Sequence, residues 1–164
     1  MKKNIFLIFV SFFLLQNLNA QFPKWDWAKA ISGTSYEFGF AIAVDHTGNI
    51  YSTGSFMGNA DFDPGTGIYS ITSASATHSD IYISKLDSLG NFIWAKTIGG
   101  INNDAGYAIA VDPIDGQDIF ITGFFSDTVD LDPGPGVFNL FSSGGAEVFI
   151  SKYDSAGNFI WAKQ

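Results

Sequence analysis

Short apolar runs separated by turn residues make up this chain, and helical periodicity is not sustained after the first twenty residues. Runs rich in Ile, Phe, Tyr and Val, bounded by Asp, Asn and Gly, are typical of β-strands. The pattern predicts strands at 40–44, 50–56, 81–86 and 92–98, and again at 107–111, 119–125, 148–153 and 159–163. The fold is therefore predicted to be all-β.

The strand pattern repeats with a fixed period. Trp-Ala-Lys occurs at 27–29, 94–96 and 161–163, so the three copies are evenly spaced, and Ala-Ile-Ala-Val-Asp occurs at 41–45 and 108–112 with the same spacing. A fixed period of this kind indicates a repeat architecture, in which neighbouring units bury one another. Several strands are apolar on both faces, which fits four-stranded antiparallel blades of a β-propeller stacked around an axis.

The period also predicts the limits of the blades within the region 21–164. We expect a first blade over 36–100, a second over 103–164, and one extra N-terminal strand, the fourth strand of a further blade, over 25–31. Closed propellers contain at least about four blades, so two blades would leave apolar faces open. Either these blades belong to a longer propeller, or several copies of the chain close one ring.

The turn before each fourth strand has its own signature. Asp-Ser-x-Gly-Asn occurs at 87–91 and at 154–158. The Asp carboxylate is placed to accept backbone N–H bonds, and Gly90 and Gly157 are placed where a left-handed residue closes a type I turn with a bulge.

The first twenty residues are predicted to be a signal peptide. Lys2 and Lys3 precede an apolar run from Ile5 to Leu15, and a short polar stretch ends at Ala20, the expected cleavage site. The run is shorter than the roughly 20 residues that cross a bilayer. We therefore expect a secreted or cell-surface protein.

Composition narrows the classes of partner. The chain has no cysteine and no arginine, and its net charge of −8 becomes −10 once Lys2 and Lys3 are removed. Disulfides are excluded, and nucleic acid is an unsuitable partner because its phosphates require clustered Lys and Arg. His46 and His78 lie in predicted turns, and no Gly-x-Ser-x-Gly motif is present. We expect no catalytic residues and no intrinsic enzyme activity.

One constellation of carboxylates has the chemistry of a metal site. Asp61 and Asp63 precede Pro-Gly, and Asp130 and Asp132 repeat the arrangement. Residues two apart in an extended segment point the same way, so each pair, with carbonyl oxygens, could hold a calcium ion. The alternative is a structural turn in which the carboxylates accept backbone N–H bonds.

The motifs resemble a known family. Gly-Asn-Ile-Tyr-x-Thr-Gly at 48–54, the segment 81–96 and both Ala-Ile-Ala-Val-Asp copies are similar to the SBBP-type β-propeller repeat of secreted bacterial proteins. Asp-x-Asp-Pro-Gly resembles a subgroup found in large exported, surface-associated proteins. The resemblance covers 25–164 and implies a propeller without a shared catalytic activity.

These observations favour a secreted or cell-surface scaffold that contacts proteins or glycans. One alternative is a lectin assembled from two-blade chains, with Trp94 and Trp161 stacking on sugar rings; both tryptophans also suit packing between blades. The other alternative is a fragment of a larger exported propeller enzyme.

Overall fold

The computed structural model describes residues 26–114 and 116–164, and the predicted signal peptide lies outside that part of the chain. The described residues contain no helix, and hence none that could cross a membrane. Their strands are β1 Ser32–Gly33, β2 Glu37–Val44, β3 Ile50–Phe56, β4 Asn59–Asp61, β5 Ser70–Thr72, β6 Asp80–Leu86, β7 Phe92–Gly100, β8 Ala105–Val111, β9 Asp118–Asp130, β10 Asn139–Asp154 and β11 Phe159–Lys163.

Two four-stranded antiparallel blades form most of the fold. Blade 1 has the order β2-β3-β6-β7, and blade 2 has the order β8-β9-β10-β11. All eight strands predicted from the apolar pattern lie within these elements. The all-β, propeller-like fold class is therefore confirmed.

A hairpin extends from each blade and pairs with the strand that precedes the blade. In blade 1, β4 pairs with β5 and also with β1, through Ser32–Asp61 and Gly33–Ala60. In blade 2 the equivalent hairpin is the end of β9 with the start of β10. It pairs with the end of β7 through Gly99 and Gly100, which lie one repeat period after Ser32 and Gly33. The same two-residue pairing therefore precedes both blades.

The extra N-terminal strand predicted over 25–31 is wrong for residues 26–31, which form no strand; Trp25 lies outside the described residues. A strand requires a neighbouring ladder of backbone hydrogen bonds. Within the described ranges no strand pairs with 26–31, and pairing begins only at β1. Trp27 nevertheless lies where an outer strand would place it, with ring atoms 3.2 Å from the position of a Cβ on Gly90.

The turns before the fourth strands have the predicted geometry. Gly90 and Gly157 both have a φ of 78°, in the left-handed region. Oδ1 of Asp87 accepts the N–H groups of Leu89 and Asn91, each at 2.8 Å, and the second turn repeats both bonds. The hydrogen bonds from Asn91 hold the pKa of Asp87 below its ordinary value.

The main core lies between the blades. We call the face of each blade that contains the third-strand positions Ile81 and Ile83, or their equivalents, the forward face, and the opposite face the rear face. The forward face of blade 1 packs against the rear face of blade 2. The buried residues that meet there include Tyr51, Ile81, Ile83 and Ile98 from blade 1 and Ile119, Ile121, Phe125, Phe149, Tyr153 and Ala162 from blade 2. A smaller cluster on the rear face of blade 1 contains Phe56, Phe62, Tyr82 and Ala95.

Candidate interaction surface

The innermost strand of each blade carries a β-bulge at an aromatic residue. In β2 the pairing with β3 skips Phe40, between Gly39 and Ala41. In β8 the pairing with β9 skips Tyr107, which is the equivalent of Phe40 in the second copy of the repeat. A bulge adds one residue to one strand and re-aims its side chain. The repeat therefore places an aromatic ring at the same point of both inner strands.

These two rings belong to a continuous row of aromatic side chains, which we call the aromatic ridge. Its members are Tyr36, Phe38, Phe40, Tyr107 and Phe124. Along the row the successive ring centroids are 6.3, 6.0, 5.1 and 5.5 Å apart. The first two pairs are stacked, with interplanar angles of 16° and 5°, and the third pair meets edge to face. Pairs at these separations attract one another, so the ridge is held as one surface across both blades.

Most of the aromatic ridge is open to solvent. The exposed fractions are 66% for Tyr36, 53% for Phe38 and 53% for Tyr107. A contiguous exposed apolar patch marks an interaction site more often than scattered apolar residues do. Aromatic anchors also dominate the binding energy of protein interfaces. This surface was not predicted from the sequence, although the aromatic residues at 36, 38 and 40 have the two-residue spacing of one face of a strand.

Trp94, one of the two tryptophans considered for sugar stacking, makes contacts between the two blades. Its Nε1–H donates to the Ser155 carbonyl at 3.2 Å, and the same oxygen accepts from Lys85 Nζ at 3.2 Å. Its ring also lies 3.1 Å from the position of a Cβ on Gly157. Trp161 occupies the equivalent position of blade 2, half-buried and 6.4 Å from Phe120 between ring centroids. The structure therefore places the two tryptophans in different surroundings.

The aspartates considered as calcium ligands lie at the tips of the two hairpins. Oδ1 of Asp61 accepts N–H bonds from Asp63 at 3.0 Å and Tyr69 at 2.8 Å, and Oδ1 of Asp63 accepts one from Gly65 at 2.8 Å. The carboxylates therefore bind the backbone of their own turn, as Asp does in many turns.

Asp130 and Asp132 repeat this arrangement with the N–H groups of Asp132, Phe138 and Gly134. Across residues 26–114 and 116–164 no group of three or more His, Cys, Asp or Glu side chains is arranged to hold a metal ion. Calcium binding by Asp61, Asp63, Asp130 and Asp132 stays a prediction.

Two buried carboxyl groups, which were not predicted as site residues from the sequence, lie beside the junction of the blades. Asp104 accepts N–H bonds from Gly100 at 2.8 Å and Ser126 at 3.1 Å, so it connects the two blades. Burial raises its pKa to about 7, and the charge of Asp80 adds to the rise. Burial raises the pKa of Asp80 to about 6. Asp104 lies one repeat period after Glu37, so the repeat was a signal for an acidic residue at this junction.

The histidines occupy the turns predicted for them. His46 is exposed in the turn between β2 and β3. His78 lies in the segment before β6, with Nδ1 3.2 Å from the Ser75 hydroxyl and 3.1 Å from the Thr77 hydroxyl. Neither histidine belongs to the aromatic ridge.

A cavity of about 300 Å³ lies on the rear face of blade 1, next to residues 27–31. The residues that line it include Ser52, Ser84, Tyr82, Glu37, Trp27 and Phe38. In blade 2, where the rear face is buried, the positions of Ser52 and Tyr82 are taken by Ile121 and Phe149. The open rear face is thus more polar than the buried one.

No protein-family profile matches the chain. It is 34% identical over 83 residues to an uncharacterized WD repeat-containing protein of Acanthamoeba polyphaga mimivirus. This match covers 42% of the chain, and the chain spans only about 6% of the length of the viral protein. WD repeats build the four-stranded blades of propellers. The similarity and the two blades together indicate a repeat of the β-propeller type.

Proposed function

We propose that this chain is part of a non-catalytic β-propeller scaffold that binds other proteins through the aromatic ridge. The observation that carries the proposal is the exposed row of contacting aromatic rings from Tyr36 to Tyr107. The similarity to a WD repeat-containing protein supports it, because such propellers present rigid surfaces for contact. The binding role is assigned to this surface, since fold by itself does not identify function.

We further infer that the protein is exported and related to the SBBP-type repeats. Export rests on the signal-peptide pattern of residues 1–20, and the relationship rests on the motifs at 48–54 and 81–96. An exported protein would bind its partners at the cell surface or in the surrounding medium. The net charge of −8, which becomes −10 once Lys2 and Lys3 are removed, keeps such a surface soluble and favours neutral or basic partners.

The test is a comparison of two variants of the exposed surface. We expect the double variant Phe38→Ser/Phe40→Ser to lose at least about tenfold in the yield of cross-linked partner proteins from the surface of producing cells, because hot-spot aromatics carry most binding energy. Ile68→Ser is the matched control, since Ile68 is also exposed but lies in the hairpin between β4 and β5. Equal recovery with both variants would overturn the assignment of the ridge.

A glycan is the second candidate ligand, and the cavity beside residues 27–31 favours it. Residues with hydroxyl side chains and a tryptophan line this cavity, and its volume of about 300 Å³ is at the lower end of small-molecule sites. A glycan array would show a hit that Tyr82→Phe weakens and Tyr107→Ser leaves unchanged, since Tyr107 belongs to the ridge and does not line this cavity. The absence of any hit would remove this candidate without affecting the protein-binding ridge.

A further inference from the structure

The forward face of blade 2 is open, although its residues match a face that is buried in blade 1. Val148 and Ile150 lie one repeat period after Ile81 and Ile83 and are 70% and 45% exposed. Trp161 likewise lies one repeat period after Trp94. The surface that binds a neighbouring blade in the first copy is therefore present, and uncovered, in the second.

The contacts of the buried interface specify what this open surface would bind. Trp94 Nε1 and Lys85 Nζ both donate to the carbonyl of Ser155, in the turn before the fourth strand of blade 2. Their equivalents in blade 2 are Trp161 and Lys152. The acceptor that matches Ser155 one repeat period earlier is the carbonyl of Ser88, in blade 1. By the repeat, the partner of the open face is thus the rear face of blade 1, which this chain carries itself, with Ser52 and Tyr82 in place of Ile121 and Phe149.

Residues 26–30 of the same chain already cover part of that rear face, at the place of an outer strand. We call this segment the internal mimic. Trp27 and Lys29 lie 3.2 and 3.1 Å from the position of a Cβ on Gly90, as Trp94 and Lys96 lie 3.1 and 3.3 Å from that on Gly157. Residues 26–30 are exposed and form no strand. The mimic therefore makes the tryptophan contact of the repeat without the backbone ladder that holds β7 in place.

We propose that the chain associates head to tail with a second copy, whose blade 2 docks its forward face on the rear face of blade 1 and displaces residues 26–30. The docked blade brings a complete outer strand, β11, and the apolar side chains Val148 and Ile150 in place of an isolated segment. Burial of this apolar surface drives the exchange. Such an interface is heterologous, so it produces rings or open chains of copies.

Three variants test the exchange by sedimentation velocity over a concentration series of the whole protein. Trp27→Ala weakens the mimic, and we expect self-association about tenfold tighter than that of the parent. Val148→Asp places a charge on the docking face, and we expect self-association at least about tenfold weaker. Ile114→Asp is the matched control, because Ile114 is 86% exposed in a turn outside both faces, and it should leave the association unchanged.

The absence of cysteine allows the register to be mapped by a short bismaleimide cross-linker. Ser88→Cys mixed with Lys163→Cys should give a cross-linked pair of chains, because Lys163 is the equivalent of Lys96, which lies beside Gly157 in the buried interface. Ser88→Cys mixed with Ile114→Cys should not. A parent and a Trp27→Ala variant that both stay monomeric would overturn the proposal. Equal effects of Val148→Asp and Ile114→Asp on self-association would also overturn it, provided that thermal melts show both variants to be folded. Residues of the aromatic ridge are unchanged throughout, so partner binding by the ridge is judged separately.

Discussion

The two blades contain the same kind of residue at the same positions, but in different surroundings. Ile81 and Ile83 are fully buried, whereas Val148 and Ile150 on the equivalent strand are 70% and 45% exposed. All four are β-branched and apolar, so the strand pattern alone does not distinguish them. The difference is the neighbour: blade 2 covers the forward face of blade 1, and no described residue covers the forward face of blade 2 in the same way. The sequence of one blade thus encodes its strands, and the adjacent blade determines its burial.

The largest effect expected from this comparison is on core packing. Ile83→Ala should lower the free energy of unfolding by about 2–5 kcal/mol, because it leaves a cavity between the blades. Ile150→Ala should cost less than about 1 kcal/mol, because its side chain is already partly in water. Urea unfolding at low protein concentration measures both. Equal losses would show that the forward face of blade 2 is covered in solution.

The buried carboxyl groups at the blade junction predict a pH dependence. The folded-state pKa values of Asp104, about 7, and Asp80, about 6, lie above the ordinary value of 3.8. Between pH 4 and 7 the folded state therefore keeps protons that the unfolded state has released, and stability falls as pH rises. The shift of Asp104 sets an upper bound of about 4 kcal/mol for its share.

Thermal melts between pH 4 and 8 would measure this decline, and Asp104→Asn should flatten it because the asparagine does not titrate. Asp112→Asn is a suitable control, since Asp112 is only half-buried and lies in the turn after β8, where it accepts the N–H of Ile114. A parent whose stability rises steadily from pH 4 to 7 would contradict the prediction.

A smaller effect distinguishes the two copies of the Asp-Ser-x-Gly-Asn turn. Gly157→Val should cost about 2–3 kcal/mol, from the positive φ and from contact with the Trp94 ring. Gly90→Val has the same backbone strain, but Trp27 lies on a segment that forms no strand and can move aside. The expected cost there is about 1–2 kcal/mol. Chemical denaturation of both variants tests whether the segment at 26–30 is held as loosely as its geometry indicates.

The strands, the turns and the fold class could be predicted because each depends on local chemistry repeated at a fixed period. The aromatic ridge could not, because it depends on two bulges and on the approach of Phe40 to Tyr107 across the blades. The strand expected at 25–31 failed for a related reason, since its composition is that of an outer strand but the ladder it needs is tertiary. Asp104 is an intermediate case: the repeat marks its position, and only packing reveals its burial.

The smallest effect concerns the hairpin aspartates, where both copies have the same geometry. Asp130→Asn keeps an acceptor for the N–H groups of Asp132 and Phe138 while removing the charge. If these carboxylates act as turn residues, the variant should lose less than about 0.5 kcal/mol of stability, as substitutions outside the core usually do. Millimolar calcium should then raise the melting temperature of neither protein. A calcium-dependent rise in the parent that disappears in Asp130→Asn would instead assign the hairpin tips as metal sites, because only a charged oxygen ligand would have been lost.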